Sequence, residues 1–215
     1  MSQIISDAND LLRNNGFAYA ICGGFALDMF TNTSLRIHSD IDICVFECDK
    51  DIIYRHIKNN GWVIYEFHGQ GIARQINDIK DLEKSQRNLM CVKNNCEIIE
   101  FFPCDKGDDF YLHKFYNIGI SSFNYVEFLF NKTAGNDFIF SNNAEICRDI
   151  NKAVLFQNDT PYLSPELVLL YSIKNINQKW YQSDYDIVIS KMDNEQKLWF
   201  YNSLDKLYPN GHKWR

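Results

Sequence analysis

The sequence is poor in glycine and proline, with 10 and 4 residues among 215, which excludes collagen-like and low-complexity chains. It has no Cys-x-x-Cys pair, and its seven cysteines form no cluster with histidine that would complete a zinc site. We therefore expect reduced, buried thiols and a cytoplasmic location. No basic start with an apolar run opens the chain, and no apolar run reaches about 18 residues, so we expect neither a signal peptide nor a membrane span.

Basic residues are also scarce, since 22 Lys and Arg are outnumbered by 28 Asp and Glu and the net charge is −6. Proteins that bind nucleic acid usually carry a basic patch, whereas here basic residues occur only as scattered pairs, which disfavours nucleic acid as a partner. With 46% hydrophobic and 23% charged residues, the composition is that of a globular protein. An acidic balance favours cationic small molecules or metal-bound phosphates.

Strand and helix patterns are mixed as far as about residue 160, and mainly helical patterns follow. Short apolar runs at 17–22 and 41–46 predict strands, and Ser164-Pro165-Glu166 is typical of the start of a helix. The runs at 90–93 and 97–102 predict a hairpin across Asn94-Asn95. We predict an α/β (α+β) fold, with a mixed-sheet catalytic domain over residues 1–160 and a C-terminal helical region over 161–215.

The segment at 20–46 combines two features that carry chemistry. A short strand ends at Gly23-Gly24, where glycine lets backbone N–H groups at a helix start approach a phosphate. About fifteen residues later, Asp40 and Asp42 lie two apart in a strand, so their carboxylates point to one side. Adjacent carboxylates repel unless a cation lies between them, and Mg²⁺ is held by carboxylates together with substrate phosphates. Alone, each feature is often a tight turn or an exposed strand end; in this order they favour nucleotidyl transfer.

The same segment resembles the nucleotidyltransferase superfamily of the DNA polymerase β type, whose signature is Gly-Gly or Gly-Ser followed by Asp-x-Asp. More narrowly, GGFALD at 23–28 and HSDIDI at 38–43 resemble the aminoglycoside 2″-adenylyltransferases and the lincosamide nucleotidyltransferases. IEFFP at 99–103 and SPELVLL at 164–170 extend the resemblance over most of the chain. The chain departs from the family pattern at Phe25, where Trp is usual, at Glu100, where Asp is commoner, and at Ser172, where Lys is usual.

The resemblance implies a Mg²⁺-dependent transfer of a nucleoside monophosphate, AMP from ATP before other NTPs, to a hydroxyl group of an aminoglycoside or lincosamide, with release of pyrophosphate. Asp40, Asp42 and Glu100 would hold two Mg²⁺ ions, and Glu100 is either the third ligand or the general base. If the strand register shifts, Glu97 replaces it. The residues expected to contact the nucleotide are Gly23, Gly24, Arg36, His38, Ser39 and Lys174. Each of these also has a structural interpretation, as a turn, a cap, a core histidine or a surface charge.

Two other functions stay open. One is a toxin–antitoxin-type nucleotidyltransferase that modifies a protein or an RNA, which the acidic balance and the C-terminal resemblance disfavour. The other is a non-catalytic nucleotide-binding protein, which the intact Asp40-x-Asp42 pair disfavours. The aromatic residues within 110–130 fit core packing and also a platform for a substrate ring. The oligomeric state is not indicated.

Overall fold

The computed structural model describes residues 2–83, 87–94, 96–116, 118–175 and 177–215. Its helices are α1 (Gln3–Leu12), α2 (Gly23–Thr31), α3 (Lys50–Asn59), α4 (Ile79–Glu83), α5 (Ile150–Ala153), α6 (Pro165–Ser172), α7 (Lys179–Lys191) and α8 (Asn194–Leu207). Its strands are β1 (Tyr19–Cys22), β2 (Asp42–Phe46), β3 (Val63–Gly69), β4 (Ile72–Gln75), β5 (Leu89–Val92), β6 (Ile99–Pro103), β7 (Phe110–Phe115), β8 (Tyr125–Ala134), β9 (Asp137–Ile139), β10 (Cys147–Asp149), β11 (Val154–Gln157) and β12 (Thr160–Leu163). Short 3₁₀ turns occupy Glu47–Asp49 and Ile173–Asn175.

The chain divides into two compact units that interleave along the sequence. The first unit contains Met1–Tyr19 and Ile37–Phe130, and the second contains Ala20–Arg36 and Asn131–Arg215. These bounds differ from the catalytic and helical parts predicted on either side of residue 160, and that functional division stays a prediction. Within the described ranges, no helix has the length and apolar character needed to cross a bilayer.

The first unit is built on a sheet whose strands follow the order β2, β8, β5, β3, β4, β7, β6. From β8 to β6, every neighbouring pair is antiparallel. The hairpin predicted across Asn94-Asn95 is wrong, because β5 pairs with β3 and β8 while β6 pairs with β7; Asn95 itself lies outside the described residues. The order places β2 and β6 at opposite ends of this run of strands.

In the second unit, β12 pairs with β1 in parallel and with β11 antiparallel, so the predicted mixed sheet is confirmed. Helix α6 begins as predicted, with Ser164 at the N-cap and Pro165 in the first turn, and its next residues as far as Leu170 are buried. Helices α7 and α8 follow, which confirms the predicted C-terminal helices. Helix α8 begins with a capping box in which Asp193 and Gln196 satisfy each other's backbone N–H groups.

A buried charge network joins β10, α6 and α8 within the second unit. Arg148 donates to Glu166 Oε1 through Nη2 at 2.6 Å and through Nε at 3.0 Å, and both side chains are almost fully buried. Gln196 donates to the other Glu166 oxygen at 3.0 Å. Arg148 also pairs with the half-exposed Glu195, which Lys152 contacts from the surface. Glu166, which the sequence presents as a helix-start charge, is thus enclosed by donors.

Candidate active site

Asp42 begins β2 and Asp40 lies two residues before it, and the neighbouring strand β8 carries a third carboxylate, Glu127. The backbone N–H of Glu127 donates to the carbonyl of Ile41 at 3.0 Å, which sets β8 directly beside the Asp-x-Asp segment. Burial raises the pKa of Glu127, and the charge of Asp40 raises it further. An effect of this kind requires the two carboxylates to be near neighbours. Asp40 and Glu127 are therefore near neighbours, and we call these two residues together with Asp42 the carboxylate cluster.

Tyr125, two residues before Glu127 on β8, is fully buried. Its hydroxyl donates to Glu127 Oε1 at 2.6 Å. Burial raises the pKa of Tyr125 well above its ordinary value, and the charges of Glu127, Asp40 and Asp42 add to the effect. The hydrogen bond favours the ionised form of Glu127 and so partly opposes the effect of burial on its pKa. Tyr125 thus orients one oxygen of the third carboxylate.

Sequence reasoning missed Glu127, although a signal was present. The run YVEFLF at 125–130 contains one acid in an otherwise apolar strand. A carboxylate in such a strand is costly to bury, which makes this acid a candidate for a functional site. The resemblance instead directed attention to the motif at 99–103, whose acid precedes a proline as the acid of the family motif does.

Glu100 lies elsewhere in the strand order, on β6, and is exposed. Its Oε2 accepts a hydrogen bond from the Tyr116 hydroxyl at 2.5 Å, and this bond raises the pKa of Tyr116. Among the described residues, the charge of Asp40 raises the pKa of Glu127, whereas Glu100 raises the pKa of Tyr116. The structure does not bring Glu100 into the carboxylate cluster, and its role as ligand or base stays a prediction. Glu97, its competitor, is exposed and precedes β6.

His38 and Ser39 directly precede the Asp-x-Asp pair. His38 is buried, and its backbone carbonyl accepts a hydrogen bond from Ile120 N–H at 2.8 Å, which ties this segment to the loop before β8. Ser39 is exposed. The contacts of the two residues with a nucleotide stay predictions, and the backbone contact gives His38 a structural part as well.

Gly23 and Gly24 open helix α2 in the second unit, as the sequence predicts. Gly23 has φ +62°, a left-handed conformation that strains any residue with a Cβ, so glycine is required there. The N-cap is Cys22, whose thiol is a weak hydrogen-bond acceptor. A helix start of this kind presents backbone N–H groups that suit an anion. Phosphate contact at these glycines stays a prediction.

Arg36 and Lys174 also belong to the second unit. Arg36 Nε donates to the buried Asp184 at 3.2 Å, which is an ion pair within that unit. Lys174 is exposed on the 3₁₀ turn that follows α6. Asp28, another residue of the GGFALD motif, accepts a hydrogen bond from Leu35 N–H at 2.8 Å and so closes the turn after α2. The predicted contacts of Arg36 and Lys174 with a triphosphate stay predictions.

The carboxylate cluster suits a hard divalent cation. Its oxygen donors are those that Mg²⁺ prefers, and the mutual repulsion between Asp40 and Glu127 is of the kind that a bound cation relieves. Across the described residues, no three His, Cys, Asp or Glu side chains are gathered closely enough to hold a metal by themselves. Because Mg²⁺ usually keeps several waters and binds substrate phosphates beside one or two carboxylates, this arrangement fits Mg²⁺ better than a metal held wholly by protein.

Known proteins are similar to this chain in sequence pattern and in fold. Residues 4–69 match the family model of the aminoglycoside-2″-adenylyltransferases. A search of curated protein sequences found no significant match. The crystal structure of the lincosamide antibiotic adenylyltransferase LnuA, lincomycin-bound, is similar with a TM-score of 0.56 at 14% identity, over 89% of this chain and 98% of that chain.

Two structures of ANT(2″)-Ia are also similar. The crystal structure in complex with adenylyl-2″-tobramycin has a TM-score of 0.52 at 10% identity, over 94% of each chain. The solution structure has a TM-score of 0.51 at 11% identity, over 96% of this chain and 90% of that chain. At such identities the likeness shows the fold alone. The chain therefore has the nucleotidyltransferase-like fold, and its residues 4–69 carry the sequence pattern of the aminoglycoside-2″-adenylyltransferase family, which confirms the resemblance found in the sequence.

Proposed function

We propose that this protein transfers a nucleoside monophosphate from an NTP, with ATP the first candidate, to a hydroxyl group of a small molecule, and that pyrophosphate leaves. The family match over 4–69 and the likeness to two antibiotic adenylyltransferases support this function. The observation that carries it is the carboxylate cluster, in which Asp40 of the Asp-x-Asp motif lies near Glu127 on the neighbouring strand. A fold alone would not be enough, because one fold serves many reactions.

In this function, Asp40 and Asp42 hold Mg²⁺, with Glu127 or the predicted Glu100 as the third carboxylate. Mg²⁺, when bound, offsets the charge of the phosphate groups and positions them for attack. The Gly23-Gly24 helix start, Arg36, His38, Ser39 and Lys174 are proposed as contacts of the nucleotide. The chain itself contributes the carboxylates of Asp40, Asp42 and Glu127, whose mutual repulsion a bound cation would relieve.

Glu127 has the properties of a general base. Burial and the charge of Asp40 raise its pKa, which favours acceptance of a proton. Tyr125 holds Oε1, so the acceptor hydroxyl would give its proton to Oε2. The acceptor oxygen then forms a bond to the α-phosphorus, and the bond from that phosphorus to the pyrophosphate oxygen breaks. Glu100 is the alternative base.

The acceptor follows from the relatives only by analogy. One solved relative is lincomycin-bound and another is in complex with adenylyl-2″-tobramycin. We propose an aminoglycoside or a lincosamide as the acceptor of this chain.

The test is pyrophosphate release from each NTP with Mg²⁺, in the presence of tobramycin or lincomycin. We expect release with one acceptor, and its loss in Asp42→Asn by at least about a hundredfold, because one ligand of the cation is removed. Asp51→Asn is the matched control, since Asp51 is an exposed carboxylate on α3 of the same unit. Glu127→Gln and Glu100→Gln compared side by side identify the third carboxylate.

Three results would contradict parts of this function. A wild-type protein without Mg²⁺-dependent NTP binding would exclude nucleotidyl transfer. NTP binding without pyrophosphate release for any acceptor would favour the non-catalytic alternative. Equal activity of Asp42→Asn and Asp51→Asn would remove the carboxylate cluster from the site.

A further inference from the structure

The sheet face that carries Glu127 continues across the first unit on the same side. Residues directly opposite one another in antiparallel strands point to the same face. Glu127 on β8 is opposite Met90 on β5, and Met90 is opposite Tyr65 on β3. Tyr125 and Tyr65 belong to one hydrophobic cluster on this face. A row of residues therefore leads from the carboxylate cluster to Tyr65 without leaving that face.

Beyond Tyr65, aromatic side chains on β3, β6 and β7 share this face. We call them the aromatic strip: Phe67, Phe101, Tyr111, His113 and Phe115. Phe101 stacks on Tyr65 with 4.0 Å between ring centroids, and Phe67 stacks on His113 at 4.2 Å. The Phe115 ring meets the Tyr125 ring edge-on at 5.8 Å. Because Tyr125 donates to Glu127, a single residue links the strip to the carboxylate cluster.

The aromatic strip is only partly covered. Phe115 is 45% exposed, and the other four side chains are of intermediate exposure. Burial lowers the pKa of His113, which favours the uncharged form of the ring that stacks on Phe67. Such a surface suits a planar or apolar ring. Aromatic faces also attract cations, so a polycation is the competing ligand, and the nucleobase of the NTP is another.

We propose that the aromatic strip binds the ring of the acceptor, and that the acceptor is a neutral or weakly charged molecule with an aromatic or apolar ring beside its reacting hydroxyl. This assignment rests on the proposed function, because the neighbouring carboxylates make the surface an acceptor site. Its support is continuity: the strip and Glu127 share one sheet face and meet through Tyr125. Phe115 is 45% exposed although its ring meets Tyr125, the residue that donates to Glu127, so it is open to a ligand beside that carboxylate.

The probe is para-nitrophenyl galactoside, a neutral molecule with an aromatic ring and several hydroxyl groups. Its Kd is measured by calorimetry on the full chain, with and without Mg²⁺ and ATP, beside the polycation tobramycin. We expect the probe to bind more tightly than tobramycin, and Phe115→Ala to raise its Kd roughly five- to tenfold. The Kd for ATP should stay unchanged.

Phe102→Ala is the matched control. Phe102 is 40% exposed on β6 of the same hairpin, but it is opposite Leu112 and so lies on the other face of the sheet. We expect it to leave the Kd of the probe unchanged. Phe115→Leu keeps apolar bulk without a ring and should weaken the probe as Phe115→Ala does, and thermal melting shows whether each variant is folded.

Three outcomes would overturn the proposal: equal effects of Phe115→Ala and Phe102→Ala, displacement of the probe by ATP, or binding of tobramycin alone. Displacement by ATP would assign the strip to the nucleobase. Failure of the proposed function has a different signature, namely no Mg²⁺-dependent ATP binding by the wild type. In that case, a Kd for the probe that rises in Phe115→Ala still supports a ring-binding strip. A Kd for the probe that is the same in Phe115→Ala and wild type overturns it.

Discussion

Replacing Arg148 by methionine is expected to destabilise the protein by about 3–5 kcal/mol at neutral pH. Arg148 is 4% exposed and holds the fully buried Glu166 through two hydrogen bonds of 2.6 and 3.0 Å. The methionine fills much of the aliphatic space but leaves Glu166 in the interior with Gln196 as a neutral donor. Breaking a buried pair on one side carries this large penalty because an uncompensated charge stays behind.

The loss of stability in Arg148→Met should depend on pH, and the direction of this dependence follows from the pKa of Glu166. Burial already raises the pKa of Glu166, and Arg148 is a main group that opposes this effect. Without Arg148 the pKa rises further, so the folded variant binds a proton more tightly than the unfolded chain does. The stability that this proton contributes is present below the pKa of Glu166 in the unfolded chain, and it is lost as the pH rises through the pKa of Glu166 in the folded variant. The difference from wild type should therefore shrink in acid and be largest near pH 7.

The assay is urea unfolding followed by tryptophan fluorescence at several pH values. Lys152→Met is the matched control, because Lys152 is 55% exposed and contacts only the outer carboxylate of the network among the described pairs. Its loss should be about 0–1 kcal/mol. The double variant Arg148→Met/Glu166→Leu should recover most of the stability, since no charge is left unpaired. Equal losses for Arg148→Met and Lys152→Met would refute the assignment of a buried, stabilising ion pair.

Three further predictions concern stability. Hydrogen bonds from Arg148 lower the pKa of Glu195 to about 2, so its stabilisation is present above about pH 4.5 and is lost as the pH falls toward 2; Glu195→Gln should flatten that part of the urea-midpoint curve. Gly23→Ala should destabilise by about 1–2 kcal/mol in thermal melts because of the positive φ. Because the pKa of Glu127 is raised in the folded protein, ionisation of this residue lowers the stability of the protein as the pH rises. Glu127→Gln should therefore increase the melting temperature more at pH 7 than at pH 4. An equal increase at both pH values would contradict this.

The motifs could be read from the sequence because they are local. The strand that begins at Asp42 and the helices that begin at Gly23 and Pro165 depend on residue spacing, glycine conformation and capping within a few positions. The same is true of the mixed character of the fold. These features also carry the family resemblance, which is why the resemblance and the local prediction agree.

The closeness of Glu127 to Asp40 could not be read in this way. Glu127 and Glu100 are both acids in strands that contain aromatic residues, and which of them lies near Asp40 depends on which strand lies beside β2. Strand order is a non-local property, and the wrong hairpin prediction at Asn94-Asn95 shows how easily it is misjudged. Only the pairing of β8 with the Asp-x-Asp segment placed Glu127 next to Asp40.

The sequence by itself determined the chemistry that is available: paired carboxylates on a strand, a glycine helix start, and a family pattern at residues 4–69. Tertiary structure alone decided which charges meet. It buried Glu166 against Arg148, paired Arg36 with Asp184, and set Tyr125 beneath Glu127. The physical reason is range. Backbone preferences act within a turn or a strand, whereas the energy of a charge depends on burial and on neighbours that the fold brings from distant parts of the chain.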